Sequence, residues 1–273
     1  MRYFFHIGYH GINYSGWQKH SDIVSVQQVF ETALTRIFKT PLAAICCGRT
    51  DARVHASQFF FHVDINQPWD FDLVFRLNKV IPDDIAVFDI IQMEGLPHAR
   101  FDAIQRSYDY FIHTYKDPFL RNFSSFYDEP NLNVAQMRSA VALLPLYNDY
   151  RGFCTSPDSN EHTICHISAA SLHTSANADR MRFHISGNRF LGKMIRIIVG
   201  RLISIGNGKM SVAEFEQYLS NPVAAVNVMP AHPQGLYLSK VTYPYLDLPQ
   251  RSDFVMLLQG EEKLKSLNKT LKK

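Results

Sequence analysis

The sequence predicts an α+β fold with a mixed, mostly antiparallel central sheet flanked by helices. Segments that read as strands outnumber helices available as crossovers, and several neighbouring strands are spaced as antiparallel partners. Each half of the chain also opens with strands followed by a helix, which suggests two similar halves. No short-period repeat of the solenoid kind is present.

Tyr3 to Tyr9 alternates aromatic and aliphatic side chains and reads as the first strand. Gly11 to Trp17, with Asn13, Ser15 and Gly16, reads as a loop. A helix follows Ser25, which with Gln28 forms a capping box. Val26, Val29, Phe30, Ala33, Leu34 and Ile37 give that helix an apolar face. Ile45 to Cys47 is a short strand running straight into Gly48-Arg49-Thr50-Asp51, and Ser57 to Ile65 is an aromatic-rich one. Adjacent Cys46 and Cys47 would point to opposite faces of their strand, as core thiols. A helix is expected over Asp72 to Val80, stopped by Pro82, then strands over Ile85 to Met93 and Tyr108 to Tyr115.

The second half reads as a helix over Val134 to Leu144 and strands over Cys165 to Ser171 and Met181 to Ser186. A long helix then places Leu191, Met194, Ile195, Ile198, Leu202 and Ile205 on one face. Ser211 and Glu214 form a second capping box, opening a helix to Leu219, and Leu236 to Val241 is the closing strand. The halves divide as 1–103 and 104–247, with a C-terminal extension over 248–273. Five lysines between Gly260 and Lys273, with Leu264, Leu267 and Leu271 at helical spacing, fit a frayed solvated end better than a docking helix.

The 273 residues, 46% of them hydrophobic, suffice for a large core. A net charge of +3 permits a nucleic-acid partner without demanding one. Met1 to His6 lacks the pattern of a signal peptide, and Phe190 to Ile205 is too short and too charged to span a bilayer. Four cysteines in a chain of this length do not make a disulfide framework, so a soluble, cytoplasmic protein is expected.

The segment Cys46-Cys47-Gly48-Arg49-Thr50-Asp51-Ala52-Arg53-Val54-His55-Ala56 sets a carboxylate between two arginines just past a strand end. Strand-end loops are where a rigid scaffold holds catalytic groups. Flanking guanidinium groups keep a carboxylate ionised, as a nucleophile requires. The same residues also fit a capped turn with a surface ion pair. A separate group, Cys154, His162, Cys165 and His166, has the ligand types for zinc but none of the usual paired spacings, so no metal is expected there.

Gly48 to Ala56 resembles the GRTDAGVHA signature of the tRNA pseudouridine synthase A family. Further motifs resemble that family in the same order along almost the whole chain. They include Gly8-Tyr9-His10-Gly11 with Tyr14-Ser15-Gly16-Trp17-Gln18, Ser25-Val26-Gln27, and Leu77-Asn78 with Pro82-Asp83-Asp84-Ile85. His98-Ala99-Arg100-Phe101-Asp102-Ala103 with Arg106-Ser107-Tyr108, Asn188-Arg189-Phe190-Leu191 with Met194-Ile195-Arg196, and Gly235-Leu236-Tyr237-Leu238 complete the set.

The resemblance implies isomerisation of uridine to pseudouridine in the tRNA anticodon stem-loop, without metal or cofactor. It implies Asp51 as nucleophile and Arg196 as the cation paired with it. Tyr108 would stack on the target uracil, and Arg49 would help hold the flipped nucleotide. It also implies two RNA-recognition-like halves around a central cleft, and a homodimer bearing tRNA across both subunits. The physics suits these roles, because a buried carboxylate needs a fixed cation and an unstacked base needs an aromatic platform. A non-catalytic tRNA-binding or folding module is the alternative.

The chain departs from the pattern at His10, where the family usually has aspartate, at the loosely matching Tyr150-Arg151-Gly152-Phe153, and at Arg53, where it usually has glycine. Glycine at that last position would serve a positive φ or a close approach by RNA. Arginine is expected instead as a gained phosphate contact.

Overall fold

A computed structural model describes residues 1–20, 23–221 and 229–249. The basic segment from Gly260 lies outside these residues. The fold is α+β, a mixed and mostly antiparallel sheet with five helices among the described residues. Two compact units emerge, and they are not successive along the chain. Taking described residues only, one comprises 1–109, 186–189 and 232–249, and the other 110–185 and 190–231. The closing strand, which a linear division groups with the second half, therefore packs with the first unit.

In the first unit, β1 (Arg2–Tyr9) pairs antiparallel with β3 (His55–Asp64) on one side and with β4 (Ile85–Gln92) on the other. The short β2 (Ile45–Cys46) pairs antiparallel with β3. β9 (Leu236–Thr242) pairs parallel with the start of β3, His55 against Tyr237, which makes the sheet mixed. That pairing explains why β3 begins two residues before the aromatic run that announces it in the sequence. Both faces of β1 are covered. Phe5 stacks on Phe61 at 4.7 Å, while Phe4 meets Tyr243 edge-on at 5.4 Å.

Helix α1 (Val26–Phe38) buries Val26, Phe30, Ala33, Leu34 and Phe38, with Phe30 against Phe61 and Trp17. Val29 and Ile37, expected in that face, are only half-buried. The Ser25 side chain accepts from Gln28 N at 3.2 Å, but the reciprocal half of the box is missing, and Gln28 Oε1 is buried without a hydrogen-bond partner among the described residues. Helix α2 (Leu73–Val80) is capped by Asp72, whose carboxylate accepts from Phe75 N at 2.9 Å.

β5 (Gln105–His113) gives residues 105–109 to the first unit and 110–113 to the second. In the second unit the order runs β5-β8-β7, with β7 (Ile167–Thr174) and β8 (Arg180–Gly187). A two-residue strand, β6 (Ser125–Phe126), pairs parallel with the end of β5. Nothing in the sequence announces β6, because only its neighbour makes it a strand.

Helices α3 (Val134–Leu143), α4 (Met194–Gly206) and α5 (Val212–Ser220) complete the unit. The Ser211–Glu214 box is present in both directions. Leu191 precedes α4 instead of joining it, its carbonyl accepting from Met194 N at 3.1 Å. α4 is buried on most of its circumference, including Arg201, whose guanidinium lies between Phe153 and Tyr218. Among the described residues no helix is long and apolar enough to cross a membrane.

Candidate active site

The sheet delivers Asp51 by a short route. β2 ends at Cys46, and Cys47 N still donates to Phe60 O at 2.8 Å, so the chain leaves the sheet only at Gly48. Val54 N donates back to Asp51 O at 3.2 Å, closing a four-residue turn before β3 begins. Arg53, its third residue, has φ 65°, the positive value that a type II turn requires at that position. The backbone condition that glycine would serve is therefore present, with an arginine paying its steric cost.

The opening loop clamps this turn backbone to backbone. Gly16 adopts φ 86°, and a Cβ there would lie 2.1 Å from Thr50 O. At Gly11 it would lie 1.9 Å from Val54 O. Arg53 N donates to Tyr14 O at 3.0 Å, and Trp17 N to Thr50 O at 3.4 Å. Thr50 is buried, its hydroxyl 2.9 Å from that of Tyr9, whereas Asp51 is half-buried and Arg49 exposed. The turn is thus held through its backbone and through Thr50.

Tyr108 lies on the part of β5 that belongs to the first unit, and it is buried. Burial is the main cause that pushes its phenol well above the ordinary range. The Arg106 charge opposes that shift, and Cys47 and the Asp51 carboxylate add to it. Asp51, Tyr108 and Arg106 therefore share one electrostatic neighbourhood, and Tyr108 is a neutral ring throughout the physiological range. Arg106, two residues before Tyr108, donates to four main-chain carbonyls. These are Cys47 O at 2.6 Å and 3.2 Å, Arg100 O at 2.8 Å, Ala103 O at 3.3 Å and Asn188 O at 3.2 Å.

Arg196 lies in the second unit, in the first turn of α4. Its Nε donates to Ala231 O at 2.7 Å while its carbonyl accepts from Ala231 N at 2.8 Å. The segment before Ala231 runs close along the helix, since a Cβ at Gly200 would meet Met229 O at 2.9 Å. Of the four residues singled out, Asp51, Arg49 and Tyr108 thus fall in the first unit and Arg196 in the second.

The rival Cys–His cluster is engaged otherwise. Asn160 Nδ2 donates to Cys154 Sγ at 3.8 Å, and His166 Nδ1 lies 3.1 Å from Asn148 Oδ1. Among the described residues, no three His, Cys, Asp or Glu side chains stand together as a metal site. Cys46 and Cys47 are free thiols, half-buried and buried. Burial raises the Cys47 thiol to about 12.

The sequence shows Arg106 only as part of a motif, and gives no sign of its carbonyl bridge or of the Tyr9–Thr50 bond. For the two close glycine approaches, Gly11 and Gly16 flanking a loop were the signal available. The carbonyl partners of Arg106 have no local signature.

An α+β sheet that presents an aspartate on a clamped turn fits the match found along the second half. Residues 147–244 match the model of the tRNA pseudouridine synthase family, a segment that contains Arg196 but ends and begins clear of Asp51, Arg49 and Tyr108. The class is that of pseudouridine synthases, which are isomerases.

Whole-chain similarity narrows this further. The tRNA pseudouridine synthase A of Porphyromonas gingivalis is 36% identical over 250 residues, covering 89% of this chain and 97% of that protein. Those of Parabacteroides distasonis and Exiguobacterium sibiricum are 37% and 34% identical, over 89% and 87% of this chain and 96% and 95% of theirs. The chain belongs to the tRNA pseudouridine synthase A family.

Proposed function

We propose that this protein isomerises uridine to pseudouridine in the anticodon stem-loop of tRNA, with Asp51 as the nucleophile. The observation that carries this reading is the Asp51 turn, held by backbone contacts and by Thr50 at a fixed place in the electrostatic neighbourhood of the buried Tyr108. In the reaction the N1–C1′ bond of the nucleoside breaks, the uracil turns, and C5 bonds to C1′. The proton on C5 is lost and N1 takes one up, so the change is redox-neutral. The carboxylate of Asp51 either bonds to the ribose or stabilises the charge that develops there as the base departs.

Tyr108 is proposed as the ring that stacks on the extruded uracil, Arg49 as a group that holds the flipped nucleotide, and Arg196 as the cation that serves the nucleophile. A buried, neutral Tyr108 in the neighbourhood of Asp51 supports the first of these roles. The names of the relatives support tRNA as the substrate. A homodimer acting in the cytoplasm is proposed on the family resemblance, and sedimentation of the purified protein tests the dimer.

The deciding experiment is Asp51→Ala. The variant should fold and bind tRNA while forming no pseudouridine. Residual turnover within about a hundredfold of the parent would sink the nucleophile assignment. A parent protein that binds tRNA and forms none would instead favour the non-catalytic module.

A further inference from the structure

The turn at residues 97–103 is held by a dense set of hydrogen bonds. Asp102 accepts from His98 N at 2.8 Å and from the Tyr245 hydroxyl at 3.0 Å. His98 Nδ1 accepts from both Arg100 N, at 3.1 Å, and Phe101 N, at 3.3 Å. Ala99 N donates to His62 Nδ1 at 3.2 Å, and Ala99 O accepts from the Tyr243 hydroxyl at 2.6 Å. Arg106 then ties Arg100 O to Cys47 O through a single Nη2.

At the tip of this turn, Phe101 is 75% exposed. Its ring leans on His98, with centroids 4.2 Å apart and planes tilted by 33°. Arg100, beside it, is exposed, and its guanidinium is 6.0 Å from the Phe101 centroid. The charges of Arg100 and Arg49 are both felt at the Cys46 thiol, so the tip of the turn and the start of the Asp51 loop border the same ground. The nearby carboxylate, Asp102, is already engaged by His98 N and Tyr245.

An aromatic ring kept in water by a rigid turn contributes nothing to the core. The turn's hydrogen bonds have, however, already met the entropy cost of presenting it. That is the design of a stacking platform, on which any base binds through its face while a neighbouring guanidinium meets phosphate. We infer that Phe101 is a stacking platform for an unpaired nucleotide of the RNA substrate, distinct from the target uridine, with Arg100 as the adjoining phosphate contact. This rests on the proposed tRNA reading. A protein occupant suits the site less well, because the apolar ring is bordered by cation and not by further buried apolar surface.

The test is tRNA affinity across a salt series for Phe101→Ala, Phe101→Leu, Phe101→Trp and Arg100→Ala. Alanine and leucine at 101 should weaken binding about tenfold at every salt concentration and leave the salt slope unchanged. Tryptophan, which keeps a π face, should bind within about threefold of the parent. Arg100→Ala should make the slope shallower by about one phosphate. Leucine keeps the apolar bulk, so its loss with alanine and not with tryptophan separates stacking from mere coverage.

Parent-like binding by the alanine and leucine variants would overturn the inference. So would equal weakening by all three substitutions at 101, or a loss that follows a change in oligomeric state by sedimentation, which would mark Phe101 as a protein contact. Pseudouridine formation by the parent, measured on the same tRNA, keeps the two readings apart. If the parent forms none, the function fails. If it does and Phe101 proves indifferent, only the platform fails.

Discussion

Gly16 and Thr50 are in backbone contact: a Cβ on Gly16, whose φ is 86°, would stand 2.1 Å from the Thr50 carbonyl oxygen and 2.9 Å from the Asp51 carbonyl carbon. Two independent obstacles, conformation and space, therefore reserve position 16 for glycine, and both bear on the peptide that carries the proposed nucleophile. Gly16→Ala should cost at least about 2 kcal/mol of stability, since the positive φ and the clash add. Whatever folds should have lost turnover more than tRNA affinity. Denaturant unfolding and single-turnover assays read the two effects, and a variant of parental stability and rate would refute the clamp.

Arg53 tests the opposite case, a side chain where the backbone favours none. At φ 65° it is strained by about 1–2 kcal/mol, which glycine would relieve while losing part of the gain to its freer unfolded chain. Arg53→Gly should raise stability by up to about 1 kcal/mol. A phosphate contact by the exposed guanidinium is a separate matter, read from the salt dependence of tRNA binding. A slope shallower by about one phosphate indicates the contact, and an unchanged slope leaves the strain as the only consequence of the substitution.

His55 supplies a pH dependence. Its Nδ1 accepts from Gly11 N at 2.9 Å, its Nε2 lies 3.1 Å from Gln234 O, and the His10 ring is 4.3 Å away. Burial first, then the His10 charge, lowers its pKa from 6.5 to about 3. A depressed pKa means that the folded state holds the neutral ring. The resulting stability is complete above pH 6.5 and is lost as pH falls toward 3, by up to about 1.4 kcal/mol per pH unit. Denaturant titrations between pH 7 and pH 4 should show the decline, and His55→Gln should flatten it. A parallel decline in both proteins would assign it to other groups.

Arg201 is a buried cation whose Nη1 and Nη2 make no hydrogen bond among the described residues. Its guanidinium carbon lies 3.6 Å from the Tyr218 ring centroid and 4.5 Å from that of Phe153, and burial lowers its pKa to about 10. Desolvating an unpaired charge costs more than two ring faces return. Arg201→Met, which fills the same slot without charge, should therefore gain about 1 kcal/mol in urea unfolding. A loss of that size would show that the aromatic sandwich outweighs the desolvation.

The sequence by itself determined the kinds of element and most of their bounds. Strand alternation, helical spacing and cap residues are local signals, as with Ser211 and Glu214 in their two-way box. It also carried the family, through motifs that include the Asp51 loop. Even a local signal failed once packing intervened, because Gln28 is drawn into the interior and cannot complete the box with Ser25.

Tertiary structure alone decided how that loop is held. The parallel pairing of β3 with β9 joins residues 55 and 237, and Arg106 bridges carbonyls at 47, 100, 103 and 188. The φ of Arg53 follows from a turn whose other side is pressed against Tyr14 and Gly16. Neither the β3–β9 pairing nor the Arg106 bridge has a sequence signature, since every residue offers the same carbonyl and only the approach of distant backbone selects which one is used.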